Sequence, residues 1–164
     1  DLAVKLYSLA AETEGFFGCH IQMDIYCREV LAQKSISTLQ KKDAYMAKLD
    51  RMATAELRYD DAICLCLTVL KELGCGFPRG GVMGLMKAVV SVRRTVKMVK
   101  QTPTEVLDSL PVVTDPSKLA KVEFLNRLNV WCYLAGEKFV YLFLLTTTKM
   151  VETTFSHGVF EWSA

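Results

Sequence analysis

The first half of the chain carries one helical pattern twice, at an offset of 42 positions. The offset aligns four pairs of similar residues: Ala11 with Ala53, Phe17 with Tyr59, Met23 with Leu65, and Leu31 with Leu73. A repeat of this length is typical of stacked pairs of antiparallel helices. It therefore predicts an all-α superhelical stack of helical hairpins, an architecture that usually presents surfaces to other proteins.

The composition is that of a globular protein. The 164 residues are 51% hydrophobic and 23% charged, which excludes an intrinsically disordered chain and suffices for one domain over residues 1–164. A net charge of +2 argues against a whole-molecule field that would attract nucleic acid. The charge-free stretch Phe139–Thr148 is too short to span a bilayer, and we recognise no signal peptide. We expect a cytoplasmic section of a longer protein.

Hydrophobic periodicity predicts about seven helices in four hairpins, at about 2–34, 39–74, 82–110 and 117–157. We expect Asp60 to cap the fourth helix and Gly74 to end it in a left-handed conformation. Asp115 followed by Pro116 is a strong helix start, because the carboxylate can cap the helix and proline fits its first position. Gly158 is expected to end the seventh helix, and residues 159–164 to begin another.

Two of these helices have an apolar side that we expect to face the core. On the first helix, Leu2, Leu6, Leu9 and Thr13 share one side at helical spacing, with Val4 and Tyr7 nearby. On the fifth helix, from about Val82 to Lys100, the apolar side consists of Leu85, Ala88, Val89, Val92, Val96 and Val99.

The fifth helix is also the best candidate for a functional surface. The segment from Arg79 to Lys100 has no acidic residue and six basic ones: Arg79, Lys87, Arg93, Arg94, Lys97 and Lys100. Helical spacing groups Arg93, Lys97 and Lys100 opposite the valine side, with Lys87 and Arg94 at the margin. The group is either a solvated face, a docking site for an acidic partner, or a contact for anionic lipid or nucleic acid. Because no aromatic residues interleave with it, we do not expect nucleic acid.

The sequence contains no pattern typical of a catalytic, cofactor or metal site. The turn Gly80-Gly81 opens a helix but lacks the phosphate-binding consensus and a preceding strand. The six cysteines form no C-x-x-C pair, and with only His20 and His157 no zinc spacing results. We expect reduced, mostly buried thiols, and we assign a helix-end role to His157. The sequence therefore predicts no enzyme, no cofactor and no metal.

The turn Arg58-Tyr59-Asp60-Asp61-Ala62-Ile63 resembles that of tetratricopeptide repeats, although the period is longer than usual in that family. The chain as a whole resembles the helical region of large predicted signalling ATPases, in which kinase-like, P-loop ATPase, GAF and histidine-kinase modules surround a helical block. The matching pieces occur in order: Leu6-Tyr7 to Gly15, Tyr59 to Pro78, Leu110 to Pro116, and Lys149 to Gly158.

This resemblance implies a tetratricopeptide-like, non-catalytic scaffold. Its partners would be neighbouring domains of the parent signal-transduction protein or a separate protein or peptide. The alternative is a small-molecule sensor with an apolar pocket between hairpins.

Overall fold

A computed structural model describes residues 2–78 and 80–160. Its regular elements are helical, which confirms the all-α class, and a single isolated bridge joins Val112 to Val159 within the described residues. The α-helices are α1 (Leu2–Phe16), α2 (His20–Ala32), α3 (Lys42–Asp50), α4 (Tyr59–Glu72), α5 (Val82–Gln101), α6 (Thr104–Asp108), α7 (Pro116–Leu134) and α8 (Val140–His157). A π-helical turn, Arg51–Ala55, continues α3, and a 3₁₀ turn, Glu137–Phe139, precedes α8.

The described part of the chain has eight α-helices rather than about seven, because α6 is a separate helix of five residues. The backbone forms two compact units, Asp1–Leu73 and Gly74–Ala164. The expectation of one domain over 1–164 stays a prediction, as does the superhelical stacking of the hairpins.

In the first unit, α1 packs against α2, and α3 packs against both. The buried side of α1 carries Val4, Ser8 and Ala11. Val4 packs with Val30 of α2 and Ala44 of α3, and Ala11 packs with Met23 and Cys27 of α2. The contacts between these three helices thus bury small and medium-sized side chains.

The prediction that the leucines of α1 face the core is wrong. Leu2, Leu6 and Leu9 are exposed, and the opposite side of the helix is buried. The reason is the size of the side chains on that opposite side. Small residues allow two helix backbones to approach closely, whereas a row of leucines would hold them apart.

The third predicted helix is shorter than expected and ends differently. The α-helix begins at Lys42 rather than Leu39 and passes into the π-helical turn before Leu57, whose φ of 53° is left-handed. The next helix begins at Tyr59, so Asp60 lies in its first turn and is not its cap. Arg58 at the N-cap position donates instead from its guanidinium to the carboxylate of Asp61, over 2.8 Å.

In the second unit, α7 and α8 pack together and α5 packs against α8. The expected pairing within 82–110 does not form, because the five-residue α6 is too short to cover the 20-residue α5. Across α7 and α8, the side-chain amide of Asn129 donates to the hydroxyl groups of Thr146 and Thr147, over 2.8 Å each. The largest buried side chains of α7 are apolar: Phe124, Leu125, Leu128 and Trp131.

The predicted ends of α7 and α8 are confirmed. Asp115 accepts hydrogen bonds from the backbone N–H groups of Ser117 and Lys118, and Pro116 occupies the first helical position. Gly158 follows the last residue of α8 with a φ of 116°. The helix predicted to begin at Val159 is wrong for the residues described, because Val159 forms the bridge and Phe160 is buried. Positions 161–164 lie outside the described residues.

Candidate functional site: the surface of helix α5

Helix α5 is held in the second unit by its smallest residues. The buried positions are Gly84, Ala88 and Thr95, which lie on one side of the helix at spacings of four and seven residues. On the same side, the hydroxyl groups of Ser91 and Thr148 of α8 share a hydrogen bond of 2.8 Å. This row of small and hydroxyl side chains allows α5 to lie close to α8.

The predicted core-facing side of α5 is mostly exposed, so that prediction is wrong. Leu85, Val89, Val96 and Val99 are between 40% and 47% exposed; Ala88 alone of the predicted side is fully buried. The packed side is turned about 100° from the valines, as the helical rotation per residue requires. We call Leu85, Val89, Val96 and Val99 the apolar stripe of α5.

Apart from Lys87, the amino-terminal half of α5 is apolar on its other exposed sides as well. Four further side chains there are between 62% and 78% exposed: Val82, Met83, Met86 and Val90. Single exposed apolar residues are ordinary in proteins, but a contiguous apolar surface on one helix marks a contact site. Flexible methionine side chains suit such a surface because they adapt to a partner's shape.

The basic residues separate into two groups on α5. Arg93, Lys97 and Lys100 line one shallow groove together with Val92 and Val96. We call these three residues the basic group. They lie next to the apolar stripe, beside Val96, so the prediction that they lie opposite the valines is wrong. Helical spacing had grouped the same three residues, and the structure confirms that they lie together.

Arg94 lines a different groove, formed with residues of α8 and the loop before α5, among them Phe77, Pro78 and Thr148. Lys87 is exposed two turns before Arg94 on the same side of the helix. Arg79 lies outside the described residues. Thus the structure brings together three of the six predicted residues and places two on another side of α5.

The basic group has no ion-pair partner within 4 Å among residues 2–78 and 80–160. Helix α5 itself contains no acidic residue. The three positive charges beside the apolar stripe are thus open to a partner. Such an arrangement can bind a surface that is apolar along its centre and acidic at its edge, because burial supplies affinity and charge supplies orientation.

The histidines and cysteines form no common site in the part of the chain described. The backbone carbonyl of His20 accepts a hydrogen bond from Arg51, and His157 is the last residue of α8. None of the six cysteines, all of which lie in the described ranges, forms a disulfide, and four of them are buried. Burial raises the pKa of the Cys27 thiol to about 11 and that of Cys132 to about 12, so neither is an activated nucleophile.

No group of three or more His, Cys, Asp or Glu residues that could hold a metal ion occurs within 2–78 and 80–160. Across the same residues, the helices are either too short or too polar to cross a membrane.

Sequence reasoning missed the exposure of the apolar stripe. The signal that could have revealed it is the row of small residues at positions 84, 88, 91 and 95. Such a row indicates a side of the helix that packs closely against a neighbour. The sequence therefore offers two candidates for the buried side of α5, the small residues and the valines.

Comparisons with known proteins supply no relative: no protein-family model, no curated protein and no solved structure matches the chain significantly.

Proposed function

We propose that this chain is a non-catalytic helical scaffold for protein–protein or interdomain contacts, and that the surface of α5 is its docking site. The observation that carries the proposal is the exposed apolar stripe beside the unpaired basic group. We propose further that the scaffold serves a multidomain signal-transduction ATPase or kinase, as the resemblance of the sequence implies.

The partner is an amphipathic helix with an apolar face and acidic residues along its margin. The apolar stripe recurs at spacings of three, four and seven residues, and a partner helix can lay its own apolar ridge along such a row. Acidic side chains at the margin would then meet Arg93, Lys97 and Lys100. A partner with a basic margin would place like charges together, so charge selects the acidic one.

A protein partner is favoured over a lipid surface by the residues that α5 lacks. Helices that lie in a membrane interface usually carry Trp or Phe on the apolar face. Helix α5 has no aromatic residue. Its exposed apolar residues include four valines between positions 82 and 96: Val82, Val89, Val90 and Val96. Short branched side chains suit packing against another helix.

The test uses a synthetic amphipathic helical peptide with leucines on one face and glutamates on the other, binding being measured by fluorescence anisotropy. The triple variant Arg93→Glu/Lys97→Glu/Lys100→Glu should weaken binding at least about tenfold, because three favourable charge contacts become repulsive. The control is Lys87→Glu/Arg94→Glu, which reverses two charges on another side of α5 and should leave the dissociation constant unchanged.

Equal loss in the control and the triple variant would mean that only net charge matters, and would refute docking at this surface. Binding to phosphatidylserine vesicles without binding to the peptide would assign the surface to a membrane instead. The signalling context is tested by the full-length reading frame, in which we expect a P-loop ATPase upstream and a histidine-kinase core downstream. A frame with neither module would remove that part of the proposal.

A further inference from the structure

A cleft lies between the first half of α7 and the last part of α8. The cleft has a volume of about 280 Å³. Lys118 and Lys121 of α7 and Lys149 of α8 line it, and the other lining residues are Gly74, Cys75, Leu125, Glu152, Thr153, Ser156 and His157. All of them belong to the second unit.

The three lysines converge because of helix geometry. Lys118 and Lys121 are three residues apart, so they share one side of α7. Lys149 and the next turn of α8 face that side across the packed pair of helices. The Lys121 ammonium lies 4.0 Å from the position that a Cβ atom on Gly74 would take, which places it at the loop side of the cleft.

Two of these lysines act electrostatically on one buried group, the thiol of Cys75. Burial raises the pKa of the Cys75 thiol, while the positive charges of Lys149 and Lys121 act in the opposite direction. Each charge must be near Cys75 for this to occur, since electrostatic interactions weaken with distance. Lys121 of α7 and Lys149 of α8 therefore both lie near Cys75, in the cleft that the three residues line.

The protein does not balance the positive charge of the three lysines. One carboxylate, that of Glu152, lines the cleft with the three ammonium groups, and none of the four forms an ion pair within 4 Å among the described residues. Like charges gathered in a cleft repel one another, and a bound anion would relieve that repulsion.

We propose that the cleft binds the phosphate group of a small organophosphate. A phosphate monoester carries close to two negative charges at neutral pH and accepts several hydrogen bonds. The lysines supply the positive charge, and the Ser156 hydroxyl and the His157 imidazole can donate to the remaining oxygens.

The size and lining of the cleft limit the ligand. A volume of about 280 Å³ lies at the lower end of small-molecule sites. No Phe, Tyr or Trp side chain lines the cleft, which disfavours the base stacking of single-stranded nucleic-acid sites. The amino terminus of α7 is not the binding group, because the Asp115 carboxylate already accepts from the N–H groups of Ser117 and Lys118.

The test titrates inorganic pyrophosphate into the protein at 150 mM NaCl and follows binding by calorimetry. Binding should weaken about tenfold or more in Lys149→Glu, since a charge-assisted contact is replaced by repulsion. Lys149 is exposed, so this variant should fold; Lys121→Glu is the second variant, with circular dichroism as the check on folding. The matched control, Lys87→Glu, makes the same charge change on an exposed side of α5, outside both proposed sites, and should bind as the wild type does.

Three results would overturn the proposal. The first is no pyrophosphate binding by the wild-type protein at this salt concentration. The second is an equal affinity in Lys149→Glu, in folded Lys121→Glu and in the wild type. The third is binding to vesicles that contain phosphatidic acid without binding to pyrophosphate, since that would assign the lysines to a lipid headgroup. None of these results bears on docking at α5, because the two sites share no lining residue.

Discussion

Ser91 of α5 and Thr148 of α8 share a hydrogen bond of 2.8 Å between their hydroxyl groups. The bond lies on the side of α5 that also buries Gly84, Ala88 and Thr95. It therefore marks the packed side of this helix and explains why the apolar stripe stays exposed. The apolar stripe is available to a partner because α5 packs through its small residues instead.

The two sides of α5 should differ in their tolerance of a charge. Ala88→Asp places a carboxylate at a fully buried position and should lower the free energy of unfolding by about 2–4 kcal/mol. Val89→Asp, one position later on the exposed stripe, should change it by less than about 1 kcal/mol. Urea denaturation followed by circular dichroism measures both. Equal losses would show that the valines are packed.

Gly158 should be intolerant of any side chain. Its φ of 116° is left-handed, and a Cβ atom there would overlap the carbonyl oxygen of Pro111, which accepts from the Val159 N–H over 2.8 Å. We expect Gly158→Ala to lower the free energy of unfolding by at least about 2 kcal/mol.

The matched control for this substitution is Gly136→Ala. Gly136 has a φ of 82°, but a Cβ atom there would meet nothing within 4 Å. The control should therefore lose only about 1–2 kcal/mol from backbone strain. A loss in Gly158→Ala no larger than in Gly136→Ala would contradict the close approach of Pro111.

The thiols should divide into reactive and protected groups. Cys19 and Cys64 are exposed, so two thiols should react with Ellman's reagent in the native protein and all six after denaturation. Raising the pH to 9 should not recruit Cys27 or Cys132, because burial holds their thiol pKa values near 11 and 12. Mass spectrometry identifies the modified positions, and early labelling of either buried thiol would contradict the packing.

The cap of α7 should make stability depend on acid pH. Hydrogen bonds from the backbone N–H groups of Lys118 and Ser117 lower the pKa of the Asp115 carboxyl below its ordinary value. The stabilisation is therefore fully present above the unfolded-state pKa and is lost as the pH falls through the lower, folded-state pKa.

Thermal melts of two variants separate the charge from the cap. Asp115→Ala should lower the melting temperature by a few degrees at neutral pH, because the cap is lost. Asp115→Asn should keep a cap but lack this residue's acid dependence, since an amide does not titrate. If the wild type and Asp115→Asn lost stability in parallel below pH 4, the acid dependence would not come from Asp115.

Much of the fold could be predicted where one residue and its neighbours settle the structure. The cap at Asp115 and Pro116, the left-handed Gly74 and the helix end at Gly158 were predicted, and the structure has them. These features depend on local backbone geometry, which the residue itself dictates. Local signals failed at the end of α3, where a π-helical turn and a left-handed Leu57 replace a regular helix.

The candidate sites depend more on the tertiary structure. The sequence placed Arg93, Lys97 and Lys100 together, because one helix turn relates them. It could not bring Lys149 to Lys118 and Lys121, since 28 positions or more separate them and only the packing of α7 against α8 joins them.

The amino-acid sequence by itself determined the all-α class, most helix ends and the side of α5 on which the valines lie. Tertiary structure alone decided which side of α1 and of α5 is buried. The physical reason is that periodicity identifies a side rich in apolar residues, whereas burial depends on how closely a second helix can approach. At Ser8 and Ala11 of α1, and at Gly84 and Ala88 of α5, small side chains allowed the closer approach, and the larger apolar residues remained at the surface.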